Sequence, residues 1–337
     1  MTAAQTLFFT APKQVEVRET ILPPLQDDEA LVETVYSAIS AGTEMLVYRG
    51  EFPQLKDAHD AVSSELNYPL AYGYACVGVV REIGKLVNSD WVGKLVFSFQ
   101  PHTSHFVAKT DTLFPVPHSL SPASACFLPN METAVNLVQD GAPILGERVL
   151  VLGQGVVGLL TASLLSEFPL DDLTVVDSIE RRRNALKVGA VPKGQKSKIN
   201  SLAADDLQLS SYLLQPFDLV FELTGSPSTL NIAIKHTAFS GRIVIGSWYG
   251  QKHAEIDLGG SFHRSRIKLI SSQVSTISPE LSGRWDKSRR FEVAWQALER
   301  IQPQKWITHR FSLGNAAKAY QLLDENPQET IQVVFEY

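Results

Sequence analysis

Three glycines in the middle of the chain have the spacing of a phosphate-binding turn. Gly153, Gly155 and Gly158 follow the apolar run 149–152 and precede a helix-forming segment, which is the G-x-G-x-x-G arrangement. The first glycine permits a tight turn, the second lets a pyrophosphate approach the backbone, and the third lets the helix pack closely on the strand. The helix N-terminus also offers unpaired N–H groups to the phosphates. The spacing therefore predicts a dinucleotide site formed by Gly153, Gln154, Gly155, Val156, Val157 and Gly158.

An acidic residue stands where such a site needs one. The predicted helix ends before Pro169, and a second strand, 173–176, leads into Asp177, close to the expected ~20 residues after the last glycine. A carboxylate there binds the adenosine ribose and repels a 2′-phosphate, which favours NAD. Arg182 leaves NADP as the alternative, because an arginine can cover that phosphate. An α/β unit that binds no dinucleotide is the other interpretation left open.

The composition excludes several classes of protein. The chain has 337 residues, of which 44% are hydrophobic and 20% charged, and its formal net charge is −6. These values suit two globular domains and argue against a nucleic-acid partner. No apolar run approaches the ~20 residues of a membrane span, and the N-terminus lacks a secretory pattern. Cys76 and Cys126 lie in apolar surroundings, so we expect reduced thiols and a cytoplasmic location.

Hydrophobic periodicity divides the chain into parts. Residues 1–130 read as short strands separated by Pro and Gly, which predicts a small, irregular β-barrel. Residues 131–275 alternate strand and helix, which predicts a parallel sheet covered by helices on both faces; one helix, 179–188, would end at Gly189, and another would begin at Ser228. The pattern changes again from residue 276. Ligands bind beyond the carboxyl ends of parallel strands, so the candidates to contact the cofactor there are Thr224, Gly225, Gly246 and Ser247.

Over its whole length the sequence resembles the medium-chain dehydrogenase/reductase superfamily. Residues 37–44 (SAISAGTE) resemble its Gly-Ile-Cys-Gly-Thr-Asp segment, residues 68–78 (YPLAYGYACVG) its Pro-x-x-x-Gly-His-Glu-x-x-Gly segment, and residues 307–320 its C-terminal pattern. The resemblance implies an α/β fold with a GroES-like catalytic domain (1–130), a Rossmann domain with a doubly wound parallel sheet (131–275) and a return to the catalytic domain (276–337). It also implies a homodimer that pairs through the Rossmann sheet edge near 267–274.

The chain departs from the family at the positions that hold catalytic zinc. Ala41 stands at the Cys position, Tyr74 at the His position, Ala75 at the neighbouring Glu position and Pro129 at the third-ligand position. Catalytic zinc needs about three protein ligands, and the four-cysteine lobe of structural zinc is replaced by 98–105. The prediction is therefore an enzyme without zinc and without other metal ligands. Within the superfamily, the Ile-Ser-x-Gly-Thr-Glu segment and the Gly-Tyr pair at 73–74 resemble the branch that contains bacteriochlorophyllide hydroxyethyl dehydrogenase.

Without a Lewis acid, hydrogen-bond donors must stabilise charge that develops on oxygen. The resemblance places Thr43 where relatives have a relay hydroxyl and Tyr74 at a position that faces the active-site cleft; each is otherwise a turn residue or a space-filling ring. It also places Glu132 near the nicotinamide as an alternative proton acceptor, and Thr133 against the nicotinamide or its ribose. Glu44 is expected to anchor its turn or to pair with a buried arginine.

Two further groups of side chains have less specific patterns. His102 and His105 have a spacing that a metal site could use, but without acidic or thiol partners a structural role is favoured. Anionic substrates could bind to arginines, although surface salt bridges are the simpler interpretation for most of them. These are Arg264, Arg266, Arg284, Arg289 and Arg290.

Three functions fit the sequence. The preferred one is an NAD(P)-dependent, zinc-independent oxidoreductase that moves hydride between nicotinamide and a secondary alcohol or ketone as its small-molecule substrate. The second is a quinone or enone reductase, which delivers hydride to a conjugated carbon and needs no metal. The third is a nicotinamide-binding protein without turnover.

Overall fold

The computed structural model describes residues 2–52, 67–186, 199–209 and 215–337. The chain divides into two compact units, one formed by Met1–Pro129 with Gln302–Tyr337 and the other by Asn130–Ile301. Residues 276–301, which the sequence-based division assigned to the returning segment, cluster with the second unit. Along the part of the chain that the structure describes, no helix combines the length and apolar character that crossing a membrane requires.

The strands, in chain order, are β1 (Ala3–Ala11), β2 (Gln14–Ile21), β3 (Glu29–Ala38), β4 (Leu70–Ala71), β5 (Cys76–Ile83), β6 (Leu95–Ser98), β7 (His105–Lys109), β8 (Phe114–Pro115), β9 (Arg148–Leu152), β10 (Asp172–Val176), β11 (Ile199–Leu202), β12 (Phe217–Glu222), β13 (Thr237–Ile245), β14 (Lys268–Ser271), β15 (Ile307–Ser312) and β16 (Gln332–Glu336). The helices are α1 (Thr43–Arg49), α2 (Pro122–Ala125), α3 (Leu128–Gly141), α4 (Val156–Leu165), α5 (Glu180–Ala185), α6 (Ala204–Leu209), α7 (Thr229–His236), α8 (Lys287–Ile301) and α9 (Ala316–Glu325).

The first unit is built on β-sheets, as predicted. Within the described residues, one sheet has the order β15-β16-β3-β5-β6-β8 with β7 paired to β3, and a smaller one has the order β2-β1-β4. An apolar core gathers side chains from β1, α1, α9 and β16, including Phe9, Met45, Tyr320 and Phe335. The C-terminal segment therefore completes the sheet of the N-terminal one, because β16 pairs antiparallel with β3.

The second unit contains a parallel sheet. Its described strands have the order β11-β10-β9-β12-β13-β14, and all of their pairings are parallel. The central strands β9 and β12 are buried on both faces, which is typical of a sheet covered by helices. The strand order reverses between β9 and β12, and ligands of doubly wound folds bind at such a point, beyond the carboxyl ends. The predicted α/β fold class is confirmed.

Two local predictions concern helix ends, and one further helix was not predicted at all. Helix α1 was not predicted, because its short apolar run follows a turn that reads as a loop. Ser228 precedes α7 as expected, but its side chain makes no capping bond, since its backbone is already helical rather than extended; its hydroxyl pairs with that of Ser226. The predicted helix end at Val188 and Gly189 lies outside the described residues.

Candidate active site

The glycine turn has the geometry that its spacing predicts. Gly153 has a φ of +95°, a left-handed conformation that side chains disfavour. A Cβ on Gly158 would lie 2.0 Å from the carbonyl oxygen of Gly153, whereas nothing lies within 4 Å of one on Gly155. Helix α4 begins at Val156, and no side chain caps its N-terminus. Its first backbone N–H groups therefore remain available to a ligand. The turn thus has a close-packed base and an open face for a phosphate.

Asp177 is joined directly to this turn. Its two carboxylate oxygens accept hydrogen bonds from the backbone N–H groups of Gln154 (2.7 Å) and Ile179 (2.8 Å). Each oxygen retains a second lone pair, so both can still accept a ribose hydroxyl. Burial lowers the pKa of Arg182, while the nearby charge of Asp177 opposes this shift. The neighbouring Arg183 donates to the carbonyl of Asp177. A carboxylate that suits the ribose hydroxyls of NAD and an arginine that suits the 2′-phosphate of NADP therefore lie near each other.

The predicted residues after β12 and β13 are organised by a buried carboxylate that the sequence analysis missed. Glu222 is wholly buried and accepts hydrogen bonds from the Thr224 backbone N–H (2.8 Å) and the Tyr249 hydroxyl (2.6 Å). The Gly225 N–H donates to the Ser247 hydroxyl at 2.9 Å. Burial, followed by the hydrogen bond to Glu222, raises the pKa of Tyr249. The available signal was an acid ending the apolar run 217–222.

Gly246 is fixed by packing. A Cβ there would lie 2.5 Å from side-chain carbons of both Leu137 and Leu223. Its backbone N–H also donates to the carbonyl of Glu222 (3.1 Å). The structure therefore brings Thr224, Gly225, Gly246 and Ser247 to the carboxyl edge of the same two adjacent strands.

In the first unit, Thr43 and Tyr74 come together as a group of hydroxyls. The Tyr74 phenol lies close to the side chains of Ser40 and Thr43, which oppose the rise in its pKa. Burial, with a contribution from the charge of Glu44, raises the pKa of Tyr74 to about 12. The phenol therefore remains protonated at neutral pH, and it is suited to donate a hydrogen bond rather than to act as a base.

Glu44 anchors this region, as expected, but its partners are not arginines. Its carboxylate is wholly buried and accepts from the Ser40 N–H (2.9 Å), the Tyr320 hydroxyl (2.8 Å) and His102 Nε2 (2.9 Å). Nδ1 of the same ring lies within hydrogen-bond distance of the Ser37 hydroxyl, at 2.7 Å. His102 has the structural role that was favoured over metal binding, and its pairing with Glu44 was not predicted.

Glu132 and Arg290 form a buried ion pair in the second unit. Glu132 Oε1 accepts from Nε (3.1 Å) and Nη2 (2.9 Å) of Arg290 and from Lys287 Nζ (2.5 Å). Arg290 is fully buried, so it is not a surface binder of anionic substrates. Arg289 is exposed, lies over Trp285 and donates to the Arg284 carbonyl. Thr133 follows Glu132 on α3.

The residues at the four family ligand positions do not fit zinc. Alanine and proline side chains offer no donor atom, and the Tyr74 phenol keeps its proton. Burial also raises the pKa of the Cys76 thiol to about 12, and its sulfur donates to the carbonyl of Pro101. Over the ranges that the structure describes, no three His, Cys, Asp or Glu side chains are grouped to hold a metal ion.

Comparisons with known proteins identify similar dehydrogenases. No family model matches the chain. The starvation-sensing protein RspB of Escherichia coli (strain K12) is 20% identical, with 99% of each chain aligned. Sorbitol dehydrogenase 1 of Saccharomyces cerevisiae is 23% identical over 80% of this chain and 82% of its own length. A solved rspB structure from E. coli CFT073, complexed with NADH, superposes with a TM-score of 0.77 at 17% identity, covering both chains completely.

The relatives bear differently on the finer predictions. A protein of E. coli K12, YphC, is 25% identical over 68% of this chain and is described as a zinc-type alcohol dehydrogenase-like protein. Zinc independence therefore stays a prediction, and the zinc-type name of this relative favours the opposite, an enzyme that binds zinc. The branch containing bacteriochlorophyllide hydroxyethyl dehydrogenase finds no support among these relatives. The chain is thus similar over most of its length to curated proteins that include zinc-type alcohol dehydrogenase-like and polyol dehydrogenases, and its fold is that of solved dehydrogenase structures.

Proposed function

We propose that the chain is an NAD(P)-dependent oxidoreductase that transfers hydride between nicotinamide and a secondary alcohol or ketone without zinc. The observation on which this rests is the glycine turn with Asp177 bonded to it. A bound nicotinamide supplies or accepts the hydride. The relatives named for polyol and alcohol oxidation support this reaction class.

Separate groups of residues in this chain would bind the cofactor and stabilise the reacting oxygen. Gly153 to Gly158 and the N-terminus of α4 hold the pyrophosphate, and Asp177 holds the ribose hydroxyls. Tyr74 and Thr43 present hydroxyl donors to the substrate oxygen, where charge develops during reduction. Such a donor typically contributes about 10²–10³-fold to a rate when it is placed in advance. Glu44 keeps the turn that bears Thr43 in place.

A quinone or enone reductase is the second candidate, because hydroxyl donors without a metal also suit reduction of a conjugated carbon. Screening NADH and NADPH oxidation against ketones, enones and quinones separates the two. Turnover of ketones in the presence of a chelator supports the proposal, and turnover of only enones or quinones replaces it with the second candidate. Tight NADH binding without turnover of any of them favours the non-catalytic alternative.

The metal and cofactor parts have their own tests. Elemental analysis of the purified protein is expected to give well under one zinc per chain, and stoichiometric zinc that a chelator removes together with activity would refute zinc independence. Asp177→Ala is expected to weaken NAD binding more than NADP binding, because the carboxylate contacts ribose hydroxyls. Equal weakening of both cofactors would remove the ribose role.

We also propose a homodimer formed through the edge of the parallel sheet. In the described part of the chain, β14 pairs only with β13, so one side of this strand is free to pair with a second copy. Light scattering is expected to give twice the mass of the chain, and a monomer would reject the proposal.

A further inference from the structure

The second unit contains a polar cluster, buried at Glu132, Asn136 and Arg290, that the proposed reaction does not use. It joins α3, α8 and the segment that follows β14. We call it the Arg290 cluster, and its members are Glu132, Asn136, Asp140, Ser272, Lys287 and Arg290.

All three nitrogens of the Arg290 guanidinium donate hydrogen bonds. Nε and Nη2 bond to Glu132, and Nη1 bonds to Asn136 Oδ1 at 2.5 Å. Nη1 also donates to the backbone carbonyl of Thr276 (3.0 Å), and Nη2 donates to that of Val274. A guanidinium has five N–H groups in a fixed fork, so these acceptors use its full capacity and define one orientation of the backbone at 274–276.

The acceptors on α3 are spaced to support this arrangement. Glu132, Asn136 and Asp140 are four residues apart and so lie along one face of the helix. Asn136 Nδ2 donates to Asp140 and to the Ser272 hydroxyl, both at 2.9 Å, and Ser272 in turn donates to Asp140 at 2.7 Å. From α8, Lys287 Nζ reaches the Val274 carbonyl at 3.0 Å. The segment after β14 is thus held from two helices.

This segment lies on the side of the sheet where a cofactor is expected. Residues 272–276 follow the carboxyl end of β14, and the Ser272 N–H donates to the carbonyl of Ile245 at the end of β13. A dinucleotide spans both halves of a doubly wound sheet. Asp177 follows β10 and marks the adenosine half, so the strands β12 to β14 form the half for the nicotinamide.

We propose that Arg290 is a positioning residue that fixes the backbone at Val274–Thr276 for the nicotinamide half of the cofactor, and that Glu132 is its anchor rather than a proton acceptor. This inference rests on the proposed function. It assigns to Glu132 a role in binding geometry that differs from the catalytic role expected from sequence.

The test compares Arg290→Lys with Arg289→Lys, which changes the exposed neighbour on the same helix. NADH binding is measured by fluorescence titration, and folding is checked by circular dichroism and thermal unfolding. Lysine cannot reproduce the fork, so Arg290→Lys is expected to weaken NADH binding about tenfold, the size of one lost hydrogen bond between the displaced backbone and the cofactor. Arg289→Lys is expected to stay within about twofold of the wild type. Equal, small effects in both variants would overturn the inference.

Glu132→Gln distinguishes the two possible roles of this carboxylate, which are to anchor Arg290 and to accept a proton. The same variant tests the inference if Arg290→Lys does not fold. The positioning role predicts weaker NADH binding with an unchanged number of limbs in the kcat–pH profile. Loss of a limb with unchanged NADH binding would identify a proton acceptor and overturn the inference. Failure of the wild type to bind NADH would instead refute the proposed function.

Discussion

Glu44 and Glu132 are both buried carboxylates, one in each compact unit, but their partners differ in kind. Glu44 accepts from a backbone N–H, a tyrosine hydroxyl and an imidazole, whereas Glu132 accepts from a guanidinium and an ammonium group. Hydrogen bonds from neutral donors can satisfy a carboxylate without a cation, while an arginine is always charged. The comparison shows that two of the three donors to Glu44 are an uncharged N–H and hydroxyl, whereas Glu132 is paired with a permanently charged arginine, so charge pairing organises the region of Glu132.

The largest expected effect comes from removing the cation next to Glu132. Arg290→Met leaves a buried carboxylate without its main partner, and breaking a buried ion pair typically costs about 3–5 kcal/mol. Urea unfolding measures the loss, with Arg289→Met as the exposed control, expected to cost about 1 kcal/mol or less because it loses only surface contacts with Trp285 and the Arg284 carbonyl. A loss for Arg290→Met no larger than for its control would show that charge pairing does not organise this region.

In the region of Glu44, the sharpest test is removal of one hydroxyl. Tyr74→Phe is expected to lower kcat about 10²-fold with little change in NADH affinity, because the phenol acts on charge that develops only during reaction. Tyr36→Phe, which removes a hydroxyl bonded to Glu336 instead, is the control. Since the Tyr74 pKa is raised to about 12, the wild-type kcat–pH profile should show no tyrosine limb up to about pH 10. An unchanged kcat would show that Tyr74 only fills space.

The partner of Glu44 is expected to contribute less than the partner of Glu132. His102→Asn removes the ring nitrogen that bonds to Glu44, and a hydrogen bond to a charged group contributes about 1.5–3 kcal/mol. Urea unfolding of this variant is compared with that of His105→Asn, whose ring bonds only to Ser104 among the hydrogen bonds described for it. A loss equal to that of Arg290→Met would remove the distinction between the two regions.

The smallest expected effect is on the pH dependence of stability, and it concerns the buried His236, for which no carboxylate partner like that of His102 is described. Burial, with a contribution from Lys235, lowers the pKa of His236. The folded chain therefore holds this ring neutral while the unfolded chain binds a proton near pH 6.5, so stability is full above that pH and falls as the pH decreases through it. Unfolding free energies measured from about pH 7 to about pH 5 should fall less in His236→Gln than in the wild type. The exposed His253→Gln should behave as the wild type does, and parallel curves for all three would contradict the prediction.

The sequence alone was sufficient to predict those features that depend on residues close together along the chain. Gly153, Gly158 and Asp177 were found because a turn, a strand and a helix follow one another along the chain, and their geometry is dictated by backbone sterics. The predicted fold class followed from the same periodicity. Thr43 and Tyr74 were named through the family resemblance, and the structure adds that the two side chains lie close together.

The buried pairs were not predictable in the same way. His102 lies 58 residues from Glu44, and Arg290 lies 158 residues from Glu132. Nothing in the local pattern around either acid specifies such a partner, because the contact depends on how distant elements pack. Glu132 was therefore interpreted as a free proton acceptor, although its Oε1 is occupied by two cationic side chains.

A crystal structure of the protein grown with NADH and zinc would test the central claim most directly. We predict a dinucleotide with its pyrophosphate along Gly153–Gly158 and its ribose on Asp177, and no metal at Ala41, Tyr74, Ala75 or Pro129. A tetrahedrally bound ion at those positions, or a glycine turn without a dinucleotide, would contradict the account.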